Sequence, residues 1–168
     1  MGKNAQNQTI LSREFSSGGV VFRQDKWLIT RTSKSKLYPK TYWRLPKGWI
    51  DNITPEIPGL MASGRVKADE ESLQKCALRE VREEGGVKAK IIKKIGTEKY
   101  FYNAPDKGRI LKFVTFYLME YVRDLPEGYE EETSEIAWLP FEEALKKLSF
   151  RGEKQILKKA KELLAPVA

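Results

Sequence analysis

The chain has 168 residues, 40% hydrophobic and 32% charged, which is enough for one domain with a substantial core. It carries a formal net charge of +8, a single cysteine and no histidine. These values exclude an internal disulfide, histidine-based catalysis and most zinc sites, and they leave carboxylates, Lys, Tyr and metal-bound water as the available chemistry. A basic surface favours anionic partners, although fully solvated lysines account for most of the excess. No apolar run approaches a membrane span and the first residues show no signal peptide, so a cytoplasmic location is expected.

Residues 1–13 are polar and are expected to form a flexible N-terminal segment. Strand character starts at Ser16. Two β-rich runs, 17–23 and 27–31, flank a Gln24-Asp25-Lys26 turn and predict a hairpin. Residues 33–40 are basic and loop-like. A short strand over 42–45 leads into Pro46-Lys47-Gly48, where glycine permits a tight turn and brings a carbonyl near a ligand. Residues 52–68 hold Pro55, Pro58, Gly59 and Gly64 and predict a long irregular excursion. Arg65 and Lys67 suit a lid that touches phosphates, while Ile53, Ile57, Leu60 and Met61 argue that part of it packs down.

A helix is predicted from Ser72, with Leu73, Cys76, Ala77, Leu78 and Val81 as its apolar stripe. Gly85-Gly86 ends it. Its last turn carries Glu80, Glu83 and Glu84 at i, i+3 and i+4, on one face. Like charges at that spacing repel by roughly 0.2–0.5 kcal/mol per pair, and the helix dipole is unfavourable to anions there. A solvated acidic face is one reading. The other is a site for a hard divalent ion, Mg²⁺ or Mn²⁺, bound through oxygen.

Beyond the helix, residues 89–102 alternate apolar with basic side chains and end in Tyr100-Phe101-Tyr102. A turn at Pro105-Asp106-Lys107-Gly108 starts a second hairpin. Its return strand, 110–122, puts Leu111, Phe113, Thr115 and Tyr117 on one side and Lys112, Val114, Phe116, Leu118 and Glu120 on the other. An acidic run, Glu130-Glu131-Glu132, precedes a strand over 134–140. Amphipathic helices over 141–148 and 152–164 close the chain. No internal repeat or linker marks a second domain.

The run Arg79-Glu80-Val81-Arg82-Glu83-Glu84-Gly85-Gly86-Val87 resembles the Nudix box, Arg-Glu-aliphatic-any-Glu-Glu-any-Gly-aliphatic, at every specified position. The box's earlier glutamate falls on Glu71. Its glycine is best matched by Gly48, within Leu45-Pro46-Lys47-Gly48, which looks like the Leu-Pro-Lys-Gly of many Nudix proteins. Gly48 to Glu71 is 23 positions against six in the family, so the excursion at 52–68 is an insertion of 17 residues within the box. Ser-Gly-Gly-Val-Val at 17–21 and Glu135-Ile136-Ala137-Trp138 also resemble Nudix strands.

The resemblance implies an α/β fold, a Nudix-type α/β/α sandwich with a mixed β-sheet, over 14–168. It implies that Gly48, through its carbonyl, and Glu80, Glu83 and Glu84 hold the metal. Glu83 is alternatively the general base, Arg79 orients the carboxylates and Glu71 steadies the loop. A further carboxylate is expected among Glu120, Glu130, Glu131, Glu132 and Glu135. Lys47, Lys112 and Arg31 are expected to meet phosphate, and Tyr100, Tyr102 or Tyr117 to stack on a base; surface or core roles are the alternative for each.

The pattern looks most like the diadenosine tetraphosphate hydrolases. It implies metal-dependent hydrolysis of a nucleoside diphosphate linked to another moiety, with asymmetric cleavage to ATP and AMP. Nucleoside triphosphates, inositol pyrophosphates and RNA 5′ ends are the alternative substrates. A non-catalytic nucleotide sensor is the alternative class, against which the three intact glutamates argue. No RNA-binding motif supports a nucleic-acid partner.

Overall fold

The structure, a computed structural model, describes residues 12–165. Its strands in chain order are β1 (Ser12–Arg23), β2 (Lys26–Thr32), β3 (Trp43–Arg44), β4 (Lys47–Trp49), β5 (Asn52–Thr54) and β6 (Ile57–Pro58). The acidic helix α1 (Glu70–Gly85) follows. Then come β7 (Val87–Ala104), β8 (Gly108–Asp124), β9 (Thr133–Pro140), α2 (Phe141–Lys147) and α3 (Arg151–Leu164).

Seven strands make one mixed sheet in the order β3-β2-β1-β8-β7, with β4 on β1 and β9 on β2. Among the described residues only β1 and β8 run parallel, from Ser12↔Ile110 to Phe22↔Glu120. Because strand side chains alternate between faces, the central strands are buried on both sides. One face packs Val21, Leu28, Tyr117 and Met119 against Ala77 and Val81 of α1. The other packs Val20, Ile29, Val114 and Phe116 against Ala144, Ile156, Leu157 and Ala160 of α2 and α3. Each such aliphatic or aromatic side chain contributes roughly 1.5–3 kcal/mol by leaving water. This is the α/β/α sandwich implied above. Among the described residues no helix is long and apolar enough to cross a membrane.

The sheet forks, and the fork creates the site. β1 and β2 are partners only at Phe22↔Trp27 and Arg23↔Lys26. Beyond that β4 takes β1 at Ser16–Gly18, while β3 takes β2 at Thr30 and Arg31. The stretch from Trp43 to Trp49 therefore fills the mouth of the fork, tied down where the Gly19 amide donates to the Pro46 carbonyl at 3.0 Å.

Several local expectations are corrected. Ser12 and Arg13 are not in a flexible end but lie in β1, paired with Ile110 and Leu111; residues 1–11 lie outside the described residues. The first strand thus begins four residues before Ser16, because the parallel partner β8 extends it. The helix starts at Glu70, not at Ser72, since the Asp69 side chain accepts from the Ser72 amide at 2.7 Å and is the cap. Gly86 closes it at φ 69°, as expected.

The excursion is only partly irregular. β5 and β6 pair within it, and the Asp51 carboxylate accepts from the Met61 and Ala62 amides at 3.2 and 2.8 Å. Ala62 is fully buried, and its carbonyl accepts from the Phe15 amide at 2.7 Å.

Candidate active site

The three-residue strand β4 serves both faces of the sheet. Gly48 pairs with Ser17 and faces α1; Lys47 and Trp49 pair with Gly18 and Ser16 and face the α3 side. Gly48 is therefore a strand residue rather than the apex of a turn, and it has no positive φ. Its smallness matters for another reason. A Cβ there would lie 2.3 Å from the Glu80 carboxyl carbon. The glycine and the acidic turn meet in space despite the insertion between them. The Gly48 carbonyl also accepts from Cys76 Sγ at 3.5 Å, one turn before Glu80.

Glu80 and Glu84 are buried and Glu83 is half-buried. Glu84 is fully engaged: Arg44 Nη2 lies 2.7 Å from one oxygen and the Lys47 amide donates to the other at 3.0 Å. Glu80 is not. Its hydrogen bond among the described residues is a long one, 3.3 Å from Arg79 Nη2. Burial, then the adjacent Glu84 charge, pushes the Glu80 carboxyl up to about 8. Burial and the Glu130 carboxylate also raise Glu83, and burial raises Glu84 against the opposing pull of Arg44. Arg79 spans the group. Its Nη2 donates to the Trp49 carbonyl at 2.8 Å, and its Nε stands 3.8 Å from Glu83.

These oxygens suit a hard divalent ion. A buried carboxylate with one weak partner, beside a second and a third, is costly unless a cation joins it. Among the described residues no three acidic or Cys side chains enclose an ion by themselves. Two carboxylates, a backbone carbonyl and water is the sparse set that Mg²⁺ accepts.

The other candidates divide. Of the outlying carboxylates, Glu130 and Glu132 belong to the acidic turn. The Glu130 amide donates to the Glu83 carbonyl at 2.7 Å, and Glu132 acts on both Glu83 and Glu84. Glu120 is exposed on β8 and Glu135 pairs with Arg31 at 3.5 Å. Glu71 contacts Lys75 at 2.9 Å on the exposed helix surface and steadies no loop.

Lys47, Lys112, Tyr100 and Tyr102 come together on the α3 side. Lys47 Nζ lies 2.7 Å from Glu153 and donates to the Tyr100 hydroxyl at 3.1 Å. Burial works to lower this ammonium, but the Glu153 charge outweighs it and holds the group above its ordinary range. The Tyr100 and Tyr102 ring centroids are 6.3 Å apart.

Two expected binders are elsewhere. Tyr117 is on the α1 face, 1% exposed, with its hydroxyl on Glu70, so it stacks on no ligand. Arg31 donates to Thr41 Oγ1 at 3.2 Å and pairs with Glu135; it touches none of the box carboxylates.

Three residues escaped sequence reasoning. Glu14, 3% exposed, accepts from Trp49 Nε1 at 3.0 Å and the Tyr102 hydroxyl at 2.7 Å, with Lys112 Nζ at 3.6 Å. Glu153 is fully buried and binds Lys47 and the Leu45 amide. Arg44 holds Glu84. Arg44 had a local signal, as a cation just before Leu-Pro-Lys-Gly; the two acids had none.

The sequence matches the NUDIX domain family over residues 13–160. It is 26% identical over 156 residues to a protein of Mycobacterium tuberculosis (strain CDC 1551 / Oshkosh) provisionally named mutator protein MutT4, covering 90% of this chain. The chain spans 56% of the length of that curated relative. Among solved structures, a NUDIX hydrolase from Nitrosomonas europaea superposes with a TM-score of 0.63 at 16% identity, covering 92% of this chain and 97% of that one. A C. elegans Ap4A hydrolase binary complex gives 0.59 at 20% identity, covering 90% and 97%. At those identities the structural likeness speaks for the fold alone. The family match covers most of the chain and includes the acidic helix, the fork and the strand that joins them: this chain belongs to the NUDIX domain family.

Proposed function

We propose that the chain is a divalent-metal-dependent hydrolase of a nucleoside diphosphate linked to another moiety, and that its substrate is diadenosine tetraphosphate, split to ATP and AMP. The observation that carries the site assignment is Glu80: a buried, nearly unpaired carboxylate pressed against Gly48 and flanked by Glu83 and Glu84. Glu80, Glu84 and the Gly48 carbonyl would hold the ion, Mg²⁺ or Mn²⁺. When bound, the ion offsets phosphate charge and acidifies water.

The chain's own residues do the rest. Arg79, bonded to the Trp49 carbonyl and to Glu80, fixes the carboxylates relative to β4. Glu84 holds Arg44 on one oxygen and the Lys47 amide on the other, and so keeps Gly48 against the helix, with a further lone pair on each oxygen. Glu83 is half-buried and raised, and it accepts the proton of the attacking water, with Glu130 and Glu132 as the further carboxylates beside it. On the far side of the fork, Lys112 and Lys47 meet phosphate oxygens and Tyr100 and Tyr102 present rings to a base. The likeness in fold to an Ap4A hydrolase motivates the choice of substrate.

The test is incubation with Mg²⁺ and a panel of dinucleoside polyphosphates, nucleoside triphosphates, inositol pyrophosphates and capped RNA, followed by product identification. ATP plus AMP from diadenosine tetraphosphate is the expected result. ADP as sole product means symmetric cleavage. Turnover in excess chelator, or full activity in Glu80→Gln, overturns the site.

A further inference from the structure

The insertion, the start of β1 and the tip of the β7–β8 hairpin border an open cleft of about 460 Å³. That is within the roughly 300–1,000 Å³ of small-molecule sites. Arg13, Arg65 and Lys107 line it, with Pro58, Ser63 and Glu14. Three cations face one carboxylate, and that carboxylate is already engaged by Trp49, Tyr102 and Lys112. Arg13 and Arg65 make no ion pair or side-chain hydrogen bond among the described residues. Lys107 is held in place from two sides. Its Nζ donates to the Glu56 carbonyl in the insertion at 3.2 Å and stands 5.0 Å over the Trp49 ring. Like charges gathered without counter-charges around a concave surface raise the local concentration of anions.

The cleft also has a direction. Glu14 lines it and bonds Tyr102 and Lys112, so the cleft adjoins the basic, aromatic cluster beside the fork, with Glu14 between them. We propose that it is an anion subsite for the substrate phosphates lying beyond the cleaved bond, with Arg13, Arg65 and Lys107 as its specificity-determining residues. The role within a substrate rests on the hydrolase reading above; the anion binding does not. The cleft exists because the insertion folds back through Asp51. It therefore gives the excursion a purpose: to lengthen the phosphate chain that the domain can grip.

Inorganic tripolyphosphate is titrated into the full-length protein in chelator and followed by calorimetry. KM and kcat for diadenosine tetraphosphate are measured separately with Mg²⁺. Arg13→Gln and Arg65→Gln change exposed positions and should fold normally. Lys93→Gln, exposed on β7 outside the cleft, is a control for charge alone. Each of the first two is expected to weaken tripolyphosphate binding about tenfold and to raise KM about tenfold, with kcat changed by less than about twofold. The control should do neither. Unchanged tripolyphosphate affinity in both variants overturns the subsite. If no polyphosphate is hydrolysed but tripolyphosphate binding still depends on Arg13 and Arg65, the hydrolase reading falls and the subsite stands. If hydrolysis proceeds with a KM indifferent to both residues, the reverse holds.

Discussion

Gly48 and Glu80 share a space that only glycine leaves open: a methyl group on Gly48 would sit 2.3 Å from the Glu80 carboxyl carbon. Gly48→Ala should therefore displace the carboxylate rather than strain the backbone. Overpacking of this kind costs about 1–3 kcal/mol. A displaced ligand should lower divalent-ion affinity by about 10–100-fold. Thermal melts with and without Mg²⁺ test both effects. The parent chain should show a Mg²⁺-dependent rise in melting temperature through mass action. A Gly48→Ala protein with the same Mg²⁺-dependent shift would remove Gly48 from the site.

The Arg44–Glu84 pair makes a second test. Glu84 is 2% exposed and Arg44 keeps 25% of its side chain in water. Arg44→Met leaves a buried carboxylate without its cation. The cost should fall at the low end of the usual range for such cuts, about 3 kcal/mol, read from urea melts. Glu84→Gln keeps the shape and the oxygen that accepts from the Lys47 amide, so it should destabilise less while still reducing turnover by about 10–100-fold. A larger stability loss in Glu84→Gln than in Arg44→Met would refute this account.

The pH dependence of stability carries the signature of Lys112. Burial, opposed by Glu14, lowers this ammonium from 10.5 to about 8. Between those values the unfolded chain binds more protons than the folded one. Stability should therefore rise as pH increases from about 8 to 10.5, and below pH 8 the buried charge opposes folding. Lys112→Met should flatten that rise. Glu14→Gln removes the facing carboxylate and should shift the onset of the rise to lower pH. Chemical denaturation across pH 7–10 at constant salt measures both.

The acidic helix and its glycine cap were legible because both are local: i, i+3, i+4 spacing and a left-handed residue leave marks within one window. Glu14 left none. It stands in an ordinary strand, and its role comes from lying directly across from Lys112, 98 positions away in a parallel pair. Glu153 reaches the fork only once α3 has packed. Tyr117 is a different case. The alternation along its strand already set it on the other face of the sheet from Lys112, packed under α1 and away from Tyr100 and Tyr102. The apolar stripe points to Ser72 as the helix start because Glu70, Glu71 and Ser72 separate the true cap, Asp69, from Leu73. Gly48 was matched by motif alone; its contact with Glu80 depends on the sheet fork, which no local pattern encodes.

Cys76 is shielded by its surroundings. The thiol is 1% exposed, faces the Gly48 and Trp49 carbonyls, and is pushed up to about 12 by burial. It should resist thiol reagents at pH 8 in the native protein and react with one equivalent after denaturation. Rapid native labelling would mean that β4 opens from α1, and with it the whole mouth of the fork.

The excursion closes on its own base. Asp51 accepts amides from Met61 and Ala62, and the Gly59 amide donates to the Asp51 carbonyl at 3.1 Å. One residue thus works as a drawstring, gathering the segment beyond it at a single point ahead of the helix. Such a pouch can be trimmed, enlarged or rewritten without retuning the chemistry next door, so this domain carries a place where preference can diverge while reactivity is inherited intact.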